Sequence, residues 1–86
     1  MIGNTNRLKY DWTPEKRRVL IREVLRQKEV LEKEKVDWKQ VHKCLPDLYD
    51  ENVDPSKARR NLRGTWIMLN KHSTRIIAQE RARLFP

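Results

Sequence analysis

The sequence predicts an all-α protein, a bundle of three helices with a short fourth helix at its C-terminal end. Three helix starts support this, because a capping side chain stands before a proline or an apolar-periodic segment at Thr13, Asp37 and Asp54. No stretch alternates apolar and polar residues as a half-buried strand does. The 86 residues correspond to one domain. We therefore predict a flexible lead-in at residues 1–9 and a single helical domain at residues 10–86.

The first helix is predicted to begin after Thr13, with Pro14 at its first position and Glu15 in its first turn. Its apolar residues recur at helical spacing on one face, namely Leu20, Ile21, Val24, Leu25 and Leu31. The Glu- and Lys-rich residues that follow also favour helix, so we expect this helix to run to about residue 33.

A short second helix is predicted after Asp37, because Gln40 stands three residues later as in a capping box. One edge of it is apolar, formed by Trp38, Val41 and Leu45. Pro46 ends the helix just before its own position. We expect Leu48 and Tyr49 to pack back onto the core.

The third helix is predicted to begin at Asp54-Pro55 and to extend to about residue 71. Its buried stripe consists of Ala58, Leu62, Thr65, Trp66 and Leu69. Thr74 is a candidate cap for the short fourth helix, which contains Ile76 and Ile77.

The positive charge is concentrated near the C-terminal end of the sequence. The net charge is +8, yet residues 1–54 hold 12 Lys/Arg against 11 Asp/Glu. Residues 55–86 hold eight Lys/Arg against Glu80 alone. A surface of one sign raises the local concentration of polyanions, so nucleic acid is the first candidate partner and an acidic protein surface the second. A solvated face that keeps the domain soluble is the third interpretation, and RNA fits the charge as well as DNA does.

The outer face of the third helix is the candidate DNA-binding surface. Arginine can donate two hydrogen bonds to a guanine edge, and an apolar side chain can contact a thymine methyl group. We expect Arg60, Arg63 and Lys71 to face the groove with Ile67, and flanking cations to hold phosphates. The predicted DNA-binding residues are Lys57, Arg59, Arg60, Arg63, Ile67, Lys71 and Arg75. Three helices with a short second and a basic third describe a helix-turn-helix or homeodomain-like unit that docks on duplex DNA.

Gly64 lies within the third helix, where glycine costs about 1 kcal/mol relative to alanine. Close approach of a DNA backbone would compensate, and so would close packing of another helix.

The tryptophans suggest a family. Trp12, Trp38 and Trp66 each fall near the start or on the buried face of one helix, so they could form a central cluster. The chain resembles the Myb/SANT family, whose three-helix repeat has a tryptophan-centred core. The opening Trp12-Thr13-Pro14-Glu15 is similar to the start of such a repeat, and Asp37-Trp38 to its second helix. The intervals of 26 and 28 residues between tryptophans are longer than in Myb repeats.

Over roughly residues 10–80 the chain is also similar to a segment of the largest, B-block-binding subunit of transcription factor IIIC. The likeness rests on the order of five motifs: Trp12-Thr13, Asp37-Trp38, Leu45-Pro46-Asp47-Leu48, Pro55-x-x-Ala58-Arg59-Arg60-x-Leu62 and Leu69-Asn70. That family often has Cys at the position of Ala58 and a third Arg at that of Asn61. The resemblance implies a nuclear protein that helps to recruit RNA polymerase III to transfer-RNA genes, by binding DNA or by contacting other subunits of a transcription complex.

Residue types for catalysis and metal binding are scarce. One Cys and two His exclude a disulfide framework and a four-ligand zinc site. His42 and Cys44 do not share a helix face, and the two glycines, Gly3 and Gly64, form no phosphate-binding loop. We expect a surface His42 and a buried Cys44, and no enzyme, cofactor, metal or small-molecule substrate. No 18-residue apolar segment exists, so we expect no membrane partner.

The alternative is a SANT-like protein-protein interaction module within a transcription or chromatin complex. It would place the same basic helix on an acidic partner. Ile67 and Met68 favour it, because apolar side chains among basic ones are also typical of protein interfaces.

Overall fold

The computed structural model describes residues 12–49 and 52–85, and within these ranges the protein is helical and contains no strand. The prediction of an all-α protein is confirmed. The four α-helices are α1 (Pro14–Leu25), α2 (Trp38–Lys43), α3 (Pro55–His72) and α4 (Thr74–Leu84). A π-helical turn, Arg26–Val30, continues α1 directly. The predicted lead-in at residues 1–9 lies outside the described residues.

Three of the predicted caps are confirmed. The Thr13 hydroxyl accepts a hydrogen bond from the Lys16 backbone N–H at 3.1 Å. The Asp54 carboxylate accepts one from the Ser56 N–H at 2.9 Å, and that of Asp37 caps α2 in the same way. Each side chain satisfies a backbone donor that has no partner inside its helix, so these three starts are fixed locally.

The predicted cap of the fourth helix is wrong. Ser73 stands at the N-cap position of α4, and Thr74 is the first helical residue. The Ser73 N–H still donates to the Leu69 carbonyl oxygen at 2.7 Å, so the same residue ends α3 and precedes α4. The single residue Ser73 therefore connects α3 to α4, and no further residue lies between the two helices.

The first helix ends earlier than predicted. Gln27, in the π turn, is buried, and its side-chain oxygen accepts from the Asp37 N–H at 2.6 Å. Its amide nitrogen donates to the Asp37 carbonyl oxygen at 3.2 Å. These bonds join α1 to the start of α2 and require the chain to reverse, which it does with Glu32 at a positive φ of 55°. Leu31, predicted on the buried face, lies on this reversal and is exposed.

The centre of the core is aliphatic. Its buried apolar residues come from all four helices and the segment after α2: Leu20, Ile21, Val24, Leu25, Val41, Leu45, Leu48, Tyr49, Ala58, Leu62, Leu69 and Ile77. Leu48 and Tyr49 pack back as predicted. The predicted central cluster of tryptophans is wrong, because Trp12, Trp38 and Trp66 are half-buried and pack against the edge of this core.

The fourth helix is an integral part of the fold rather than a short appendage. It has 11 residues, against 12 in α1, and it packs against both α1 and α3. Glu80 of α4 is fully buried and forms ion pairs with Arg18 at 2.9 Å and Arg22 at 3.1 Å, both on α1. Arg81 pairs with Glu29 of the π turn at 2.9 Å. Three ion pairs therefore join α4 to α1 and its π turn.

The Glu80 carboxylate is stabilised in its charged form by these arginines. Burial by itself raises the pKa of Glu80, but hydrogen bonds from Arg18 and Arg22 outweigh it and hold the pKa below its ordinary value. A lowered pKa means that the ionised carboxylate stabilises the folded state. This contribution is complete above the ordinary carboxyl pKa and is lost as the pH falls through the lowered value.

We predict that Glu80→Gln lowers the free energy of unfolding by about 2 kcal/mol at pH 7, because hydrogen bonds to a charged group are lost while the arginines keep part of their hydration. Urea unfolding at pH 7 and pH 3 measures this. The difference between wild type and variant should shrink at pH 3. Glu34→Gln, at an exposed residue of the reversal, is the control and should change stability by less than about 0.5 kcal/mol. An equal loss in both variants would contradict this account of Glu80.

Candidate nucleic-acid interface

The predicted DNA-binding residues lie on the outer face of α3 and at the start of α4. Six of the seven are exposed, namely five cations and Ile67. The exposed cations are Lys57, Arg60, Arg63, Lys71 and Arg75. Arg59 is half-buried at the edge of the same face. Opposite them, Ala58, Leu62, Thr65 and Leu69 are buried, so the predicted division of α3 into two faces is confirmed for these residues. Trp66, predicted in the buried stripe, is half-buried and lies at the boundary between the buried and exposed faces of α3.

The cations of α3 have no carboxylate partner among the described residues. α3 contains five Lys/Arg and no Asp/Glu. The ion pairs found in residues 12–49 and 52–85 instead use arginines of α1, the π turn and α4: Arg18, Arg22, Arg26, Arg81 and Arg83. The charge of α3 is therefore directed to solvent, where it attracts polyanions.

A shallow groove of about 610 Å³ follows α3 beside Gly64. Lys57, Arg60 and Met68 line it together with Asn61. Apart from the adjoining backbone of α3 itself and its two chain neighbours, no atom of the described residues lies within 4 Å of the position that a Cβ at Gly64 would occupy. Close packing of another helix, one of the two predicted reasons for this glycine, is therefore not found in the described part of the chain. Close approach of a partner's backbone stays a prediction.

Asn61 fixes the orientation of this groove relative to the core. Its Oδ1 accepts hydrogen bonds from the Trp12 indole N–H at 3.0 Å and from the Tyr49 hydroxyl at 2.8 Å. Because an indole N–H can only donate, the amide oxygen of Asn61 must face Trp12. Sequence reasoning missed this role, since Trp12 is 49 positions away and no local pattern connects the two residues.

Ile67 and Met68 interrupt the basic surface with apolar area. Their exposed fractions are 56% and 51%. Apolar side chains at such exposure among cations are suited to contact a base methyl group or an apolar group of a partner protein.

His42 and Cys44 differ from their predicted environments. His42 is half-buried rather than on the surface, and its ring meets the Tyr49 ring edge-on with centroids 5.2 Å apart. Cys44 is half-buried rather than buried, and burial raises the pKa of its thiol, which favours the less reactive protonated form. In the described ranges no three His, Cys, Asp or Glu side chains are grouped as metal ligands. The described helices include none with the length and apolarity that crossing a membrane requires.

Comparison with known proteins gives no match to a family model, to a curated protein or to a solved structure. The interpretation of this surface therefore rests on its own residues.

We predict that Gly64→Ala raises the free energy of unfolding by about 1 kcal/mol, because alanine favours helix and its methyl group meets no neighbour. Thermal and urea unfolding measure this. The reverse change, Ala78→Gly at an exposed position of α4, should lower stability by a similar amount. A destabilised Gly64→Ala would show that the open space beside α3 is filled in the folded protein.

Proposed function

We propose that the protein binds duplex DNA through the outer face of α3, as a helix-turn-helix module of a nuclear transcription factor. The observation that supports this most directly is the absence of any carboxylate partner for the α3 cations within the described residues. A helix with its side chains is about 10–12 Å wide and fits a major groove about 12 Å wide. Arg60, Arg63 and Lys71 would face the base edges with Ile67.

The flanking cations would fix the position of α3 on the duplex. Lys57 lies in the first turn of α3, and Arg75 follows its C-terminal end in the first turn of α4. Arg59 is half-buried at the side of the helix, a position from which it reaches a groove wall rather than the groove floor. Contacts of this kind hold phosphates and supply affinity without reading sequence.

The family proposal is a Myb/SANT-like domain, and more narrowly a component of the RNA polymerase III machinery related to the B-block-binding subunit of transcription factor IIIC. Its support is the set of short sequence motifs around Trp12, Asp37-Trp38 and residues 55–62. The connection from α2 to α3 covers residues 44–54, longer than the turn of three or four residues in a standard helix-turn-helix. The docking angle on DNA would differ accordingly.

A second candidate function is an interaction module that places α3 on an acidic protein. The exposure of Ile67 and Met68 favours it, because protein interfaces combine apolar centres with charged surroundings. The two functions differ in how steeply salt weakens binding, since phosphate contacts release condensed counterions, whereas the apolar centre of a protein interface does not depend on salt in this way.

We predict that a labelled 20-base-pair duplex binds the protein and that the affinity falls steeply with salt. Three phosphate contacts, from Lys57, Arg59 and Arg75, imply binding about 40-fold weaker at 200 mM than at 50 mM salt. Fluorescence anisotropy measures both constants. No binding at 50 mM salt and high protein concentration would overturn the proposal and favour the protein partner.

We further predict that Arg63→Ala weakens binding by about 1–3 kcal/mol for a preferred duplex and by less for others, if Arg63 reads a base. Lys57→Ala should weaken all duplexes equally and lower the salt dependence. Lys39→Ala, at an exposed lysine of α2, is the control and should leave affinity unchanged. Equal affinities for wild type and Arg63→Ala would contradict the groove assignment.

A further inference from the structure

A second groove, of about 600 Å³, lies between α3, α2 and the chain reversal that follows the π turn. Its apolar side chains are Val36, Trp38, Trp66 and Ile67, and we call it the tryptophan groove. Both tryptophans pack against the core and are half-buried rather than fully buried. Tryptophan is enriched among the residues that dominate binding energy at protein interfaces, because its large ring is rigid and mostly apolar.

The rim of the tryptophan groove is basic. Lys28 of the π turn, Lys35 of the reversal and Arg63 of α3 line it, against the single carboxylate of Glu34. None of these three cations forms an ion pair with a described carboxylate. An occupant with an apolar side chain between carboxylates would complement both the floor and the rim.

The backbone that forms one wall of this groove departs from regular helix at two places. The π turn at Arg26–Val30 is a conformation seen often at functional sites. Glu32 adopts a left-handed conformation that is unfavourable for a residue with a side chain. The hydrogen bonds between Gln27 and Asp37 join the two ends of this irregular segment, which contains Lys28 and Lys35. The groove is thus formed by a fixed segment before any partner binds.

We propose that the tryptophan groove binds an acidic amphipathic peptide segment of a partner protein. An apolar side chain of that segment inserts between Trp38 and Trp66, and its carboxylates pair with Lys28, Lys35 and Arg63. This is recognition of an amphipathic segment in a groove, with apolar contacts for affinity and charge for orientation. The groove shares Arg63 and Ile67 with the proposed DNA-binding face. Its other lining residues belong to no predicted DNA contact, and the proposal does not depend on DNA binding.

The test uses the whole 86-residue chain and a displayed library of random 12-residue peptides. We expect enriched peptides to carry Asp or Glu on both sides of Leu, Ile, Phe or Trp. A synthetic copy of the consensus should change the tryptophan fluorescence in a saturable way. Lys35→Glu and Ile67→Glu should each weaken its binding at least tenfold. Both residues are exposed, so circular dichroism and thermal unfolding should match the wild type.

Lys39→Glu is the matched control, because it makes the same charge reversal four positions from Lys35 and does not line the groove. Its affinity should stay within twofold of the wild type. The proposal is overturned if no peptide is enriched, if the enriched peptides lack acidic residues, or if Lys35→Glu and Lys39→Glu weaken binding equally. It is also overturned if only duplex DNA changes the tryptophan fluorescence and Lys28→Glu abolishes that change, since the groove then belongs to the nucleic-acid surface.

Discussion

The ion pairs of the buried Glu80 carboxylate with Arg18 and Arg22 determine which cations of this protein remain exposed to solvent. Glu80 is the one acidic residue of α4, and it is directed at Arg18 and Arg22 of α1 rather than at α3. An ionised carboxylate without these partners would be unfavourable in the core, so α4 must lie against α1. Among the described residues, this arrangement leaves the cations of α3 without acidic partners.

The outer side of α3 consequently has two surfaces of different character. The first is the basic face beside Gly64, where no side chain of the described residues covers the glycine. The second is the tryptophan groove at the edge of α3, formed with the reversal that Gln27 holds against Asp37. The basic face is suited to a regular polyanion, because its charges extend along one helix. The tryptophan groove is suited to a short peptide segment that carries an apolar side chain, because its charged residues surround apolar ones.

Features set by neighbouring residues could be predicted from the sequence. At Thr13, Asp37 and Asp54 the capping side chain accepts from a backbone N–H two or three positions away, and the buried stripe of α3 follows from helical spacing. Features that depend on contacts between distant residues could not be predicted from the sequence. The end of α1 depends on a bond between residues ten apart, and nothing in the Glu- and Lys-rich segment indicates that reversal. The hydrogen bond of Asn61 with Trp12 and the pairing of Glu80 with an arginine some sixty positions away also depend on distant contacts.

The most direct test of the central account is to map the bound duplex on the protein by ¹H–¹⁵N correlation spectra of the labelled chain. We expect saturable shift changes at the exposed positions of α3 from Lys57 to Lys71 and at Arg75. The chemical shifts of the α1 positions around Arg18 and Arg22 should remain unchanged, because both arginines already form ion pairs with Glu80. Changes concentrated on α1, with α3 unaffected, would contradict the account.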